Sequence, residues 1–365
     1  MSTTVRGAVL TGIGEPLVVR DDLRLRAPGP GEVRVALRAS GVCHSDLSIQ
    51  NGTLAGVVPA VLGHEGAGVV VEVGPGVRGA AEGDHVILVW IPPCGRCRFC
   101  LGAQPQLCTA GRLARAEREP ALSTADGPVA SALGVGTFAE QTVVPVESVV
   151  PIDRAVPFDV AALVGCGVMT GVGAVINTAR VVPGSSVVVV GCGGVGVNVV
   201  QGARLAGAAT VLAVDRAPGK LEIARRFGAT HAVAPDGLRA ATDDLTGGDG
   251  FDYAFEVVGR SETVRAAWDA TRRGGTTVVV GAGSRTDMVS FSVGELFSAE
   301  RRLLGCLYGS ADVRTDFHRV LALWRAGRLD LTGLVSRRIT LDGIDGAFAA
   351  MDGGDVVRSV IDFRG

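Results

Sequence analysis

Eight cysteines occur in the chain, and four of them, Cys94, Cys97, Cys100 and Cys108, fall within the fifteen residues CGRCRFCLGAQPQLC. Two-residue gaps let neighbouring sulfurs converge on one centre, and the longer gap lets the chain turn back to supply a fourth sulfur at about 2.3 Å from a zinc ion. Four thiolates fill a tetrahedral shell and leave no position for a substrate, so the expectation is a structural zinc on a loop. An iron–sulfur cluster would accept the same ligands, and unligated reduced thiols are the plainest alternative. A second set is scattered among GVCHSD at 41–46, GHEGAG at 63–68 and GCGVMTG at 165–171. Taken singly, Cys43, His64 and Cys166 read as small buried residues. Together they are two thiolates and one imidazole, the donor set that leaves zinc's fourth position open to a water or an alcohol. Asp46 and Glu65 lie close by, and a carboxylate there could orient the imidazole through its second nitrogen.

A third motif is GCGGVG, Gly191 to Gly196, directly after the apolar run SVVVV and before a helical pattern. Gly191 permits a tight turn, Gly193 lets the backbone approach a pyrophosphate, and Gly196 lets helix pack close on strand. Gly194 and Val195 complete the turn, which faces the phosphates with a helix N-terminus. The acidic residue expected at the end of the next strand is Asp215. Its carboxylate would accept hydrogen bonds from the adenosine ribose and repel a 2'-phosphate, favouring NAD over NADP; Arg216, next in the chain, could soften that preference. A purely structural glycine turn is the alternative.

These residues need elements to hold them. Through about residue 150, short valine-rich runs alternate with Gly/Pro turns (EVRVALRASG, AGVVVEVGPG, GDHVILVW, FAEQTVVP), a pattern for a mainly antiparallel β domain, partly barrel-like. From about residue 168, continuous apolar strands such as SVVVVG, ATVLAVD and TTVVVGAG alternate with helical stretches, which predicts an α/β, Rossmann-type doubly wound parallel sheet. The expected organisation is a catalytic zinc-binding domain of residues 1–167 and 309–365 around a dinucleotide-binding domain of residues 168–308. Residues 112–136 are polar and weakly patterned and read as a long surface loop. With 365 residues, 47% hydrophobic and 20% charged and a net charge of −2, the chain has material for two cores and no basic excess to hold nucleic acid. The start MSTTVRGAVL lacks the features of a signal peptide, and the expectation is a cytoplasmic protein without a membrane partner.

Over nearly its whole length the chain resembles the zinc-containing alcohol dehydrogenases of the medium-chain dehydrogenase/reductase family, on GVCHSD, GHEGAG, the CGRC cluster, GCGVMTG, GCGGVG and the closing GDVVRSVIDF, in that order. The resemblance implies a GroES-like catalytic domain and two zinc ions per chain, a catalytic one on Cys43, His64 and Cys166 and a structural one on Cys94, Cys97, Cys100 and Cys108. It implies that Asp46 orients His64, that Glu65 sits behind the zinc, and that Ser45 takes the proton when a hydride passes between an alcohol and the nicotinamide. His44 and Arg358 match residues at the coenzyme pyrophosphate, and Lys220 one near the adenosine ribose. Where many relatives have a histidine five residues after the first ligand, this chain has Ser48, so no imidazole ends the proton relay there. Trp90 and Leu54 match pocket-lining positions and would favour primary alcohols or aldehydes with a flat or slender group; a core tryptophan on HVILVW is the alternative for Trp90. Arg112 and Arg115 could bind an anionic substrate or be solvated loop arginines. The resemblance also covers formaldehyde dehydrogenases acting on hydroxymethyl-glutathione or hydroxymethyl-mycothiol. From another class, a zinc-stapled, redox-sensing binding protein would use the same motifs without turnover. A homodimer through the sheet edge near TTVVVGAG and LLGCLYG is the expected assembly.

Overall fold

The computed structural model describes residues 2–353 and 356–363, with the side chains of 114–117 and 352 outside that description. Three sheets organise it. Strands Ser186–Val190, Thr210–Val214, His231–Val233, Phe251–Glu256, Thr271–Val279 and Arg302–Gly305 form a six-stranded, wholly parallel sheet. The runs SVVVV and TVLAV carry almost no polar residue because helices cover both faces of such a sheet. In space the order is third, second, first, fourth, fifth and sixth strand. The direction of winding therefore reverses between Ser186–Val190 and Phe251–Glu256, and ligands of such sheets bind at the strand ends beside that reversal.

The other strands are mainly antiparallel. Glu32–Val42 is the centre of a seven-stranded sheet, flanked on one side by Glu65–Val73 and on the other by Gln141–Pro145 and Arg358–Asp362. Two registers matter for function. Gly41 pairs with Glu65, so the chain segments running past those residues bring Cys43 and His64 together. Ser359 pairs with Val42, which sets Arg358 beside the same spot.

A five-stranded closed barrel packs below, made of Thr3–Leu10, Leu17–Leu25, Ala60–Val61, Leu122–Thr124 and Gly127–Ser131. Its presence corrects the reading of residues 112–136 as a surface loop. Thr109–Glu117 is a helix, and LST and GPVAS are two barrel strands joined across Ala125 and Asp126. Strands of three and five residues with small and polar side chains carry little pattern of their own; their pairing with Leu17–Leu25 and Ala60–Val61 makes them strands.

Between the barrel region and the parallel sheet runs one long helical stretch, Phe158–Ala179. It is apolar and long enough to cross a membrane, but 94% of its most apolar window is buried inside the protein. It is a core helix. Two turns of it, Val164–Val168 and Ala174–Ala179, are widened into π-helix. It presses on helix Gly196–Leu205 so closely that a Cβ on Gly171 would lie 2.5 Å from the Val195 carbonyl oxygen.

Candidate metal centres and coenzyme site

The four clustered cysteines meet. Their sulfurs all lie within 4.8 Å of one another, with Cys97 and Cys108 Sγ 3.8 Å apart and Cys94 and Cys100 Sγ 4.0 Å apart. Four sulfurs at about 2.3 Å from one tetrahedral ion would be about 3.8 Å apart. Backbone N–H groups already favour thiolates: Cys94 and Gly111 donate to Cys108 Sγ at 3.3 and 3.2 Å, and Cys97 donates to Cys94 Sγ at 3.3 Å. Backbone donation, led by the Cys100 N–H, brings the Cys97 thiol down to about 6. With four donors of one kind the cluster is closed, and it fits a structural zinc.

The scattered set meets as well. Donor atoms of Cys43, His64, Glu65 and Cys166 lie within 4.8 Å of one another, and all four residues are buried. Cys43 precedes the short helix His44–Gln50, where its N–H donates to Asp46 Oδ2 at 3.1 Å. Asp46 Oδ1 then accepts from Gly63 N–H at 3.1 Å and from His64 Nδ1 at 3.0 Å. One fully buried carboxylate thus ties together the two segments that carry the first two donors. A proton on Nδ1 leaves the Nε2 lone pair facing Cys43, where it can ligate a metal. Burial works to lower the His64 imidazole, but Asp46 and Cys43 outweigh it and raise its pKa well above the usual value. The third donor, Cys166, sits in the widened turn Val164–Val168.

Electrostatics at this cluster favour a cation. A hydrogen bond from Cys166, with the charges of Arg358 and His64, holds the Cys43 thiol well below its ordinary value, while the same bond and burial push Cys166 well above. A bound metal would displace the protons these thiols carry. Burial raises the Glu65 carboxyl to about 7, with Arg358 opposing. Glu65 Oε1 accepts from Gly167 N–H at 3.1 Å and faces Arg358 at 3.2 Å, and its other oxygen has no hydrogen-bond partner among the described residues. Two thiols, an imidazole and a reserve carboxylate fit zinc, with a position left for substrate.

Ser45 Oγ lies 3.8 Å from Cys43 Sγ, half-buried at the cluster. The Trp90 and His64 rings meet nearly at right angles, 78° between planes and 6.0 Å between centroids. Leu54 is half-buried against the barrel core and donates its N–H to Ser48 O at 2.8 Å. Ser48 does meet an imidazole, though from the preceding turn: His44 Nδ1 is 3.3 Å from Ser48 Oγ. Arg112 is exposed, and the Arg115 side chain lies outside the described residues.

The glycine turn is built for close approach. Gly191 has φ +96°, and a Cβ on Gly196 would fall 1.9 Å from the Gly191 carbonyl oxygen. A Cβ on Gly193 would meet no protein atom within 4 Å, so that face of the turn is open to a ligand. Gly194 has a second reason to be glycine, since a Cβ there would lie 2.7 Å from Arg358 Cζ. Arg358 is buried, donates to Val42 O at 3.2 Å and spans the space between Glu65 and the turn. Asp215 accepts from Cys192 N–H at 2.8 Å and Ala217 N–H at 2.9 Å, which fixes its carboxylate at the turn's rim. Arg216 is exposed and Lys220 half-buried in helix Pro218–Arg226.

Sequence reasoning missed Tyr308. It is buried, it stacks on Trp90 at 4.5 Å between ring centroids, and its hydroxyl donates to the Gly165 carbonyl. The run LLGCLYG reads as an unbroken apolar strand, but the strand ends at Gly305 and Cys306 already lies beyond it.

A closed four-thiol cluster and an open cluster of two thiols and an imidazole, set beside a dinucleotide-type turn, define a zinc-dependent oxidoreductase. Residues 29–154 match the alcohol dehydrogenase GroES-like domain, and residues 194–325 match the zinc-binding dehydrogenase family. The S-(hydroxymethyl)glutathione dehydrogenase of Paracoccus denitrificans is 37% identical, over 98% of this chain and 99% of its own length. Among solved structures, an alcohol dehydrogenase zinc-binding domain protein from Burkholderia ambifaria superposes with a TM-score of 0.92 at 34% identity, covering 99% of both chains. Benzyl alcohol dehydrogenase from Acinetobacter calcoaceticus gives 0.90 at 30% identity, again over 99% of both. The chain belongs to the zinc-containing alcohol dehydrogenases of the medium-chain dehydrogenase/reductase family.

Proposed function

We propose that the protein catalyses reversible oxidation of a primary alcohol, with a flat or slender group beside the carbinol, using NAD. The observation that carries this reading is the convergence of Cys43, His64 and Cys166 beside Trp90, within one arginine's length of the glycine turn. Bound there, zinc supplies Lewis acidity that makes the alcohol proton easier to lose. Ser45, half-buried beside Cys43, would accept that proton and release it toward solvent. The coenzyme that the glycine turn, Asp215 and Arg358 would hold would supply the hydride acceptor, so that alcohol and NAD give aldehyde, NADH and one proton. Asp46 holds the His64 ring in place, Glu65 would be a reserve ligand for the metal, and His44 and Arg358 would contact the coenzyme pyrophosphate. Leu54 and Trp90 wall the substrate side, while Lys220 and Asp215 serve the adenosine ribose. Asp215 supports NAD because its charge opposes a 2'-phosphate.

A catalytic domain of residues 1–167 and 309–365 around a coenzyme domain of residues 168–308, a homodimer and a cytoplasmic location complete the reading. Exposed apolar groups near the edge strand Arg302–Gly305, with Val293 and Phe297 each 84% exposed, support an interface there. The second reading is oxidation of the hydroxymethyl adduct of a low-molecular-weight thiol, supported by the name and 37% identity of the Paracoccus relative. NAD and NADP reduction against primary, secondary, benzylic and terpenoid alcohols, run with and without formaldehyde plus glutathione or mycothiol, separates the two. Turnover of free primary alcohols with NAD supports the first reading. Turnover of the adduct alone moves the protein to the second.

A further inference from the structure

We propose that Tyr308 is a positioning residue of the metal centre: its hydroxyl anchors the Gly165 carbonyl beside Cys166, and its ring fixes Trp90 against His64. The inference rests on reading Cys43, His64 and Cys166 as metal ligands. Three observations carry it.

First, the tyrosine touches both halves of the site. Its hydroxyl donates to Gly165 O, one residue before the third sulfur donor and inside the widened π turn that presents it. A carbonyl oxygen has two lone pairs, so this one can accept from outside its own helix. Its ring lies tilted at 35° on Trp90, whose ring meets that of His64, and Phe317 packs on the far side with centroids 6.4 Å apart. A chain of three rings thus ends on one metal donor, and one hydrogen bond ends next to another.

Second, the backbone of Tyr308 is unusual. Its φ is +55°, a left-handed conformation that is rare for a bulky side chain and is found mainly where surrounding structure enforces it.

Third, the helical stretch that carries Cys166 grips the backbone on the far side of this turn. A Cβ on Gly309 would lie 2.3 Å from Met169 O. Asn177 Nδ2 donates to Gly309 O at 3.2 Å, and Thr178 Oγ1 pairs with Ser310 Oγ at 2.8 Å. The turn is clamped to that helix so that one aromatic ring can enter the core at a set depth.

Tyr308→Phe keeps the ring and removes the hydroxyl. The test uses the full-length protein loaded with zinc or with cobalt and follows visible thiolate-to-cobalt absorption and metal release to a chelator. In Tyr308→Phe the absorption shifts and release from the open cluster speeds up about tenfold, the lower end of what losing a ligand's supporting hydrogen bond costs. Release from the four-cysteine cluster stays at the wild-type rate. Tyr308→Leu frees Trp90, so the kcat/KM ratio between a slender and a branched primary alcohol moves about tenfold toward the branched one. If that variant does not fold, Tyr308→Asn, which tolerates left-handed backbone, serves for the same ratio. Unchanged absorption and release in Tyr308→Phe overturn the proposal, as does an unchanged ratio in the second variant. Wild-type protein that binds a single metal overturns the ligand assignment itself, and that outcome is read before either variant is compared.

Discussion

His64 Nδ1 lies 3.0 Å from Asp46 Oδ1, both groups are buried, and the same carboxylate caps the start of the helix that follows Cys43. The charge of Asp46 therefore sets both the tautomer of His64 and the position of Cys43. Asp46→Asn keeps the shape and removes the charge. The expected result is metal binding at the open cluster weakened about 10–100-fold, measured by chelator competition. The four-cysteine cluster keeps its metal.

Cys108 is fully buried and its sulfur accepts two backbone N–H groups. Cys108→Ser should lower zinc content from two to one per chain. Because the lobe has few buried residues and would lose the ion that ties its four sulfurs together, destabilisation of about 3 kcal/mol or more is expected in thermal or denaturant unfolding. A variant that keeps two zincs and wild-type stability would rule out the structural assignment.

Two glycines of one turn should fail differently. Gly193→Ala places its methyl in open space, so the fold is undisturbed while the coenzyme's approach is blocked. The KM for NAD should rise at least about tenfold, equivalent to about 1.4 kcal/mol, with Tm unchanged. Gly196→Ala forces a methyl to 1.9 Å from the Gly191 oxygen and should cost about 1–3 kcal/mol of stability. Equal Tm values for both variants would contradict this division of roles.

Asp215→Ser removes the charge that opposes a 2'-phosphate and leaves Arg216 exposed beside it. The ratio of kcat/KM for NADP over NAD should rise by roughly 10- to 100-fold, equivalent to about 1.4–2.8 kcal/mol. A ratio that does not move would place coenzyme selection elsewhere.

Acid should act on the Arg26–Glu32 pair. Burial works to raise the Glu32 carboxyl, but hydrogen bonds from Arg26 and from Gly29 N–H, at 2.8 Å for the latter, outweigh it and lower its pKa. A depressed carboxylate contributes stability that is complete above its unfolded pKa of about 4.3 and is lost as pH falls through the lower folded value. Glu32→Gln should cost about 1 kcal/mol near neutral pH and progressively less below about pH 4, as measured by urea unfolding across pH.

How much of this was legible in the residues depended on distance along the chain. The cysteine cluster is local: short gaps between Cys94, Cys97 and Cys100 bring sulfurs together wherever the lobe sits, so spacing sufficed. The glycine turn was legible for the same reason. The open cluster was legible as a donor set from residue types and as a site by likeness, but not from spacing, because its assembly depends on the pairing of Gly41 with Glu65 and on a widened turn at Cys166. Residues 112–136 hid two barrel strands whose partners are far away, with the Asp126–Gly127 step as the one readable turn signal. Tyr308 was invisible because a left-handed aromatic residue looks in sequence like any strand residue. Arg358 was named by likeness alone; its place beside Gly194 and its contact with Glu65 needed the return of the last strand beside Val42.

The central claim is that Cys43, His64 and Cys166 hold the metal at which alcohol oxidation occurs. The most direct test is Cys166→Ser, with zinc content and alcohol-dependent NADH formation measured on the same folded preparation. The account predicts one zinc per chain, retained in the four-cysteine lobe, and turnover reduced at least about 1,000-fold, on the scale of removing the main electrostatic contribution to the reaction. Cys166→Ser protein that keeps full turnover, or that loses its zinc from the lobe instead, would contradict it.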